Sequence, residues 1–371
     1  MRGAAWRRIR ELVRKELIQS LRNPRLRSMI LFAPLGQLLI FGYAVSTDVR
    51  HVASFVVDHD RTRASRELVD ALTGSGYFRV VGRSDRSADL TDALDQGRAL
   101  MGIEIPVGFA RAVGTGDRAE VQLLFDGTNS NMATVARGYA ERILASHAAR
   151  LVGISLAPAV DLRERAWFNP DLTSRNYNVP GVAAVVTFMV CLVLTSLAVV
   201  REREVGTLEQ LMVSPLRPAE LIAGKTLPFM LIAMLDLVLV TTLALVWFHV
   251  PFRGSLLLLF AASVPYLLTG VGVGLLISTV SATQREAYLT TFLIFMPMML
   301  LSGFMFPVSS MPPVFRWITL ANPIRHYLEI VRGIFLKGAG LGALWPQCLA
   351  LLLIGTAILS FAATRFRKTV G

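Results

Sequence analysis

Uninterrupted apolar runs and runs of alternating polarity divide this chain into distinct zones. Six windows, near 28–47, 179–200, 227–248, 255–279, 288–302 and 344–364, are almost wholly apolar. About 20 such residues in a helix cross a hydrocarbon core, so each window predicts a spanning helix, the fifth a short one. Between the first two windows the period changes. Val52–Val57, Tyr77–Val81, Ala99–Ile105 and Glu120–Phe125 read as strands, and Ala64–Leu72, Ala88–Leu94, Pro106–Val113 and Met132–Leu151 as helices. Strands alternating with helices predict a small α/β domain with a mixed or parallel sheet. The expected fold class is a mainly α membrane protein, six transmembrane helices with an α/β extracytoplasmic domain inserted between helices 1 and 2.

The ends of these zones follow from turn and capping residues. In residues 5–21, Trp6, Ile9, Val13, Leu17 and Leu21 share one helical face while Arg7, Arg10, Arg14 and Lys15 take the others, which predicts an amphipathic helix lying in the membrane interface over 1–27. Asn23-Pro24 ends it. The first span, 28–47, finishes at Ala44-Val45-Ser46, similar to a signal-peptidase site, but its apolar run is longer than a signal sequence uses, and it reads as an uncleaved anchor. Residues 48–178 form the inserted domain and return to the membrane through the turns Asn169-Pro170 and Asn178-Val-Pro180. Residues 179–371 hold the other five spans, a loop at 201–226 and a re-entrant or interfacial segment at 303–340.

Composition fits this division. Of the 371 residues 53% are hydrophobic and 17% charged, too apolar for an ordinary soluble domain. Where the +12 net charge sits matters more than its size. Residues 1–27 carry 9 Lys/Arg against 2 Glu, and Arg365, Arg367 and Lys368 follow the last span, so both termini read as cytoplasmic. Residues 48–178 balance 16 Arg against 17 Asp/Glu, so the inserted domain has no basic patch for nucleic acid. Crossing by crossing, 201–226 falls inside and 303–340 outside, where Arg316, Arg325, Arg332 and Lys337 need snorkelling to headgroup level. The helix expected at about 324–336, with Arg325, His326, Glu329 and Arg332, reads as an interfacial face. Cys191 and Cys348 both fall in spans, which implies no disulfide framework.

The loop at 201–226 is over-built for a turn. Val205, Leu208, Leu211 and Met212 form a narrow apolar stripe, and Arg201, Glu202, Arg203, Glu204 and Glu209 leave the other faces charged. Ser214-Pro215 ends that helix, and Arg217-Pro218-Ala-Glu220 begins another. Its charges cancel, so topology does not account for them, and a docking surface for another protein does. Gly224-Lys225-Thr226 copies the end of a phosphate-binding loop, but position 219 is alanine where that motif needs its first glycine.

Glu202-Arg-Glu204, Gly206-Thr-Leu-Glu209, Leu211, Ser214-Pro-Leu216, Glu220 and Gly224-Lys225 resemble the cytoplasmic loop of ABC-2 type transporter permeases. Lys15-Glu16-Leu17, Arg22-Asn-Pro-Arg25, Ser302-Gly-Phe-Met-Phe-Pro307, Asn322-Pro323 and Arg332 follow that family's order around its spans, and the large inserted domain resembles the bacterial multidrug-type subgroup. The resemblance implies a non-enzymatic subunit of an exporter in the bacterial inner membrane, moving a hydrophobic or amphipathic, drug-like substrate outward. It implies a second permease copy, identical or paralogous, and a separate ATP-binding subunit that holds ATP and Mg, with no cofactor in this chain. A periplasmic adaptor and membrane lipid are the further partners considered. On that resemblance the coupling residues are Glu202, Glu204, Val205, Gly206, Thr207, Leu208, Glu209, Leu211, Ser214, Pro215 and Arg217. Lipid, polysaccharide or ion export stays open, and so does a membrane-embedded transferase, although no acidic or histidine constellation stands at the span ends.

A few other residues are candidates for a substrate path or gate. Asp236 and Gln37 are polar groups inside spans, where they face protein or water. Pro297, Gly303, Phe304 and Phe306 interrupt the fifth run, and irregular backbone at that depth requires a protein or water environment. Asp58-His59-Asp60 suggests metal or catalysis, but acidic residues after a strand more often hold a turn or cap a helix.

Overall fold

The computed structural model describes residues 2–44, 51–128, 130–151, 167–169, 173–206 and 218–370. The chain folds as two compact units, one from 1–46 with 166–371 and the other from 47–165.

The smaller unit is an α/β sandwich. Its strands β1 (Val52–Asp58), β2 (Phe78–Ser84), β3 (Met101–Ile105) and β4 (Gln122–Phe125) lie in the order β2-β1-β3-β4. β1 runs parallel to β2 and β3, with Val52 opposite Phe78 and Ser54 opposite Met101, while β4 returns antiparallel with Phe125 opposite Met101. A central parallel strand is buried on both faces and reads as a near-continuous apolar run, as Val52 to Val57 does with only the buried Ser54 interrupting it. On one face Val52, Val56, Met101, Ile103 and Ile105 pack with Leu68, Val69 and Leu72 of α3 (Arg63–Thr73), Phe109 of α5 (Phe109–Thr115) and Ala136 and Ala140 of α6 (Ser130–Leu151). On the other, Phe55, Val57 and Ala99 pack with Leu90 and Ala93 of α4 (Ser87–Asp95).

The larger unit is all helix. α1 (Arg2–Arg22) breaks at Asn23, and α2 (Pro24–Ala44) starts with proline, whose missing amide costs nothing in a first turn. α7 (Ser174–Val205), α8 (Pro218–Val246), α9 (Leu256–Val280) and α13 (Leu341–Val370) are long; with α2 they make, among the described residues, five helices long and apolar enough to cross a membrane. α10 (Gln284–Leu300) has 17 residues, about 26 Å of helix against the ~30 Å of a hydrocarbon core. Its chain then turns at 301–306, passes α11 (Pro313–Ile318) and continues into α12 (Pro323–Arg332). α7 starts at Ser174, so the last residues of the expected inserted domain belong to a spanning helix.

α7 is the axis of this unit, buried almost continuously from Asn178 to Val200. α12 differs from its expected interfacial role. Ile324, Tyr327, Leu328, Ile330 and Val331 are buried with α7 and α9 in the main core, because these positions form one stripe at helical spacing. Phe188, Tyr266 and Tyr327 stack in a column through that core, with ring centroids 5.1 and 3.8 Å apart. Tyr327 and Ser263 share a hydroxyl hydrogen bond of 2.6 Å, and Tyr266 donates to the Ala184 carbonyl at 2.9 Å.

Candidate functional site

The two helices that flank the 201–225 insert are tied to α1 by buried charge. Lys225, in the second turn of α8, places Nζ 3.0 Å from Glu16 Oε1 and 2.5 Å from Glu202 Oε2, and all three side chains are buried. Lys15 Nζ stands 3.7 Å from the other Glu202 oxygen, so two cations balance two carboxylates. One turn away, Arg8 grips Glu220 with a fork of two bonds, Nη2 to Oε1 at 2.7 Å and Nε to Oε2 at 3.1 Å. Forked guanidinium–carboxylate pairs fix geometry as well as charge. Glu220 also sits in the first turn of α8, where a carboxylate complements the helix dipole.

Close packing makes the cluster possible. A Cβ on Gly224 would lie 2.9 Å from Leu12 Cβ, so α1 and α8 approach through that glycine. The buried face of α1 is Leu12, Glu16 and Ser20, whereas Trp6 and Leu21 of the expected apolar face are 65% and 48% exposed. The packed stripe and the free apolar stripe are therefore different faces of one helix. Gly224-Lys225, which imitates a phosphate loop, is a helix contact followed by an ion-pair centre.

The same end of α7 is fastened on its other side. Arg203 Nη1 donates to the Ser281 carbonyl at 3.0 Å, and Glu204 accepts from the Gln284 amide at 2.7 Å and from the Gln284 side chain. Ser281 and Gln284 bracket the connection from α9 to α10. Gly206, at φ +75°, closes α7 in the left-handed conformation with its amide on the Arg203 carbonyl at 3.2 Å. Val205 is exposed. Thr207, Leu208, Glu209, Leu211, Ser214, Pro215 and Arg217 lie outside the described residues.

The candidate path residues are scattered. Asp236 is fully buried in α8 beside the Thr187 hydroxyl of α7, with neither group in hydrogen-bonding geometry. Gln37 is half-buried in α2 and makes no hydrogen bond among the described residues, and Pro297 is exposed on α10. Gly303 and Phe304 come together with α7 and α12. The Phe304 ring packs at Gly181, and Arg332, its guanidinium 3.7 Å over the Tyr177 ring, lies within 3.4 Å of the Gly303 carbonyl. Phe306 instead is 56% exposed. Arg316 and Arg325, for which snorkelling is expected, bind local acceptors: Arg316 the Met311 carbonyl at 2.7 Å, Arg325 the Thr319 hydroxyl.

In the smaller unit the Asp58-His59-Asp60 cluster is consumed by structure. Asp58 accepts from Ser65 Oγ at 2.6 Å and from the Arg61 amide at 2.9 Å. Asp60 accepts from Thr62 Oγ1 at 2.7 Å and from the Gly108 and Ala110 amides, at 2.8 and 3.0 Å, at the start of α5. Partial burial pushes the Asp60 carboxyl up, but these bonds outweigh it and hold it below the usual range.

Sequence comparison points the same way. A family model for the ABC-2 family transporter protein matches residues 26–364. The chain is 34% identical over 366 residues to "Probable multidrug ABC transporter permease YbhR" of Escherichia coli K12, covering 98% of this chain and all of that protein. It is 33% identical over 339 residues to "Probable multidrug ABC transporter permease YbhS" of the same organism, covering 90% of each. "Inner membrane transport permease YhhJ" of Escherichia coli K12 is 30% identical over 365 residues, covering 93% of this chain and 96% of the relative.

Proposed function

This chain belongs to the ABC-2 transporter family as a transmembrane permease, and on that premise we propose that it forms the membrane path of an exporter driven through its 201–226 loop. A separate ATP-binding subunit, which holds ATP and Mg, docks on that loop, and two permease copies assemble around the path. The chain itself supplies no catalytic residue. It sits in the bacterial inner membrane with both termini cytoplasmic and the 51–151 domain outside. The substrate is hydrophobic or amphipathic and drug-like, in keeping with the names of the bacterial relatives.

The observation that carries the coupling role is that both flanks of the insert are clamped. Glu202 and Lys225 hold the two flanking helices to each other and to α1, while Arg203 and Glu204 hold α7 to the α9–α10 connection. A push delivered at the insert therefore reaches α1, α7, α8 and α10 together instead of bending one loop. The test is reconstitution in proteoliposomes with the ATP-binding subunit and a fluorescent amphipathic drug. A Leu208→Ala/Glu209→Arg variant is expected to lose ATP-driven efflux while folding normally; full efflux by that variant removes the docking assignment.

A further inference from the structure

Beside the ion-pair cluster, where α1 meets α2, lies an open cavity of about 890 Å³ lined by Lys15, Ile18, Gln19, Arg22, Asn23, Pro24 and Arg201. Three of its seven lining residues are cations and none is a carboxylate. Glu202, next in the chain to Arg201, is turned to Lys225 at 2.5 Å and touches Lys15 only at 3.7 Å. Among the described residues Arg22 and Arg201 make no ion pair and no side-chain hydrogen bond, although Arg201 is half-buried. Two guanidinium groups, each a set of N–H donors, thus border one cavity with no acceptor for them among the described residues.

The apolar part of the wall decides the ligand class. Ile18 is 44% exposed, and on the same helix Trp6 and Leu21 are 65% and 48% exposed. A helix with that free apolar face and a cationic flank lies in the interface, at the depth of lipid phosphates. Free phosphate would use the cations but leave Ile18 and Pro24 bare. A diacyl lipid with a phosphate headgroup uses both.

We propose that this cavity binds the phosphate headgroup of an anionic phospholipid, with Arg22 and Arg201 as its principal ligands and Lys15 as a third cation. The assignment is independent of the coupling reading, since it concerns the lipid held and not the protein docked. A lipid seated there bridges α1, α2 and α7, and its removal loosens the elbow.

The experiment uses the full-length chain, delipidated in neutral detergent and titrated separately with phosphatidylglycerol and with phosphatidylcholine. Bound lipid is counted by native mass spectrometry, and Tm is followed in parallel. Wild type is expected to retain phosphatidylglycerol preferentially and to gain Tm from it. Arg22→Gln/Arg201→Gln is expected to bind it roughly tenfold or more weakly, with phosphatidylcholine unchanged, and Arg22→Lys/Arg201→Lys is expected to recover part of the loss. Arg7→Gln/Arg14→Gln removes the same charge from exposed positions of α1. An equal loss in that control, or undiminished binding in the Arg22/Arg201 variant, overturns the site. Displacement of bound phosphatidylglycerol by excess inorganic phosphate overturns the lipid assignment and makes the ligand a free phosphate.

Discussion

Lys225 and Glu16 stand 209 positions apart in the chain, yet Nζ and Oε1 meet at 3.0 Å in a site from which both side chains are shielded. A buried ion pair adds little when compared with apolar residues of the same shape, but removing one partner strands the other. Lys225 has two carboxylates to satisfy, so it is the member whose loss leaves most charge uncompensated. Lys225→Met is expected to cost on the order of 3–5 kcal/mol, and adding Glu16→Gln and Glu202→Gln is expected to restore most of it. Thermal unfolding in detergent checks this. A single variant with wild-type Tm removes the cluster from the stability of the unit.

Packing at Gly224 yields a second expectation, separable from charge. Because a Cβ there lies 2.9 Å from Leu12 Cβ, Gly224→Val drives α1 off α8, whereas Leu12→Gly, which removes that Cβ, makes room for it. In a chain carrying Ser20→Cys, maleimide labelling above the background of Cys191 and Cys348 is expected to rise in Gly224→Val and to fall back in Gly224→Val/Leu12→Gly. Ser20 is 3% exposed in the packed state. Unchanged labelling in the valine variant shows that the helices tolerate the group.

In the smaller unit Asp60 caps α5 from another loop, through the Gly108 and Ala110 amides. Replacing such a cap with alanine costs about 1 kcal/mol. Asp60→Ala is therefore expected to raise hydrogen exchange at those amides roughly fivefold, since 1.4 kcal/mol is about a factor of ten. Exchange at Val56 and Ile103, in the sheet core, is expected to change less. Uniform acceleration across the unit contradicts a local capping role.

His147 supplies a pH dependence. Its side chain is buried on α6, Nε2 has no hydrogen-bond partner among the described residues, and burial, assisted by Arg150 and opposed by Glu67, pushes its pKa below the ordinary 6.5. Above that value both folded and unfolded chains hold a neutral ring, and the residue adds no pH dependence. As pH falls through it, the unfolded chain takes up a proton that the folded one resists, so stability is lost. Hydrogen-exchange protection of α3 and α6, corrected for intrinsic rates, is expected to fall on mild acidification in wild type and to stay flatter in His147→Phe. Parallel slopes in the two proteins remove His147 as the source.

Much of this architecture was legible from local pattern, and what was not depended on long-range pairing. The strands around Val56 and Ile103 announce themselves by apolar runs between turns, and α3 falls on the helix expected over Ala64–Leu72. Glu16 gave no such signal. Its charge argues for a solvated face, and only a lysine 209 positions later makes burial affordable. Gly224-Lys225 showed the converse problem, since a two-residue likeness to a nucleotide motif is silent about the helix opposite. The charges Arg325, Glu329 and Arg332 mark α12 as a surface helix, whereas its stripe of Ile324, Tyr327, Leu328 and Val331 is buried in the main core.

On the coupling role proposed for the 201–226 loop, the clamp between α7 and α10 predicts that energy use and transport can be separated. Glu204 binds both the amide and the side chain of Gln284, at the point where α10 begins. A Glu204→Ala variant keeps the rest of the insert for docking but frees α10 from the movement of α7. Coupling energies between such elements are about 1–3 kcal/mol, so ATP-dependent efflux is expected to fall on the order of tenfold while the partner's ATP hydrolysis continues. Gln284→Ala keeps the bond from its own amide, loses only the side-chain bond, and is expected to fall less. Should both variants lose ATP hydrolysis and efflux in proportion, Glu204 belongs to the docking surface and not to the transmission beyond it.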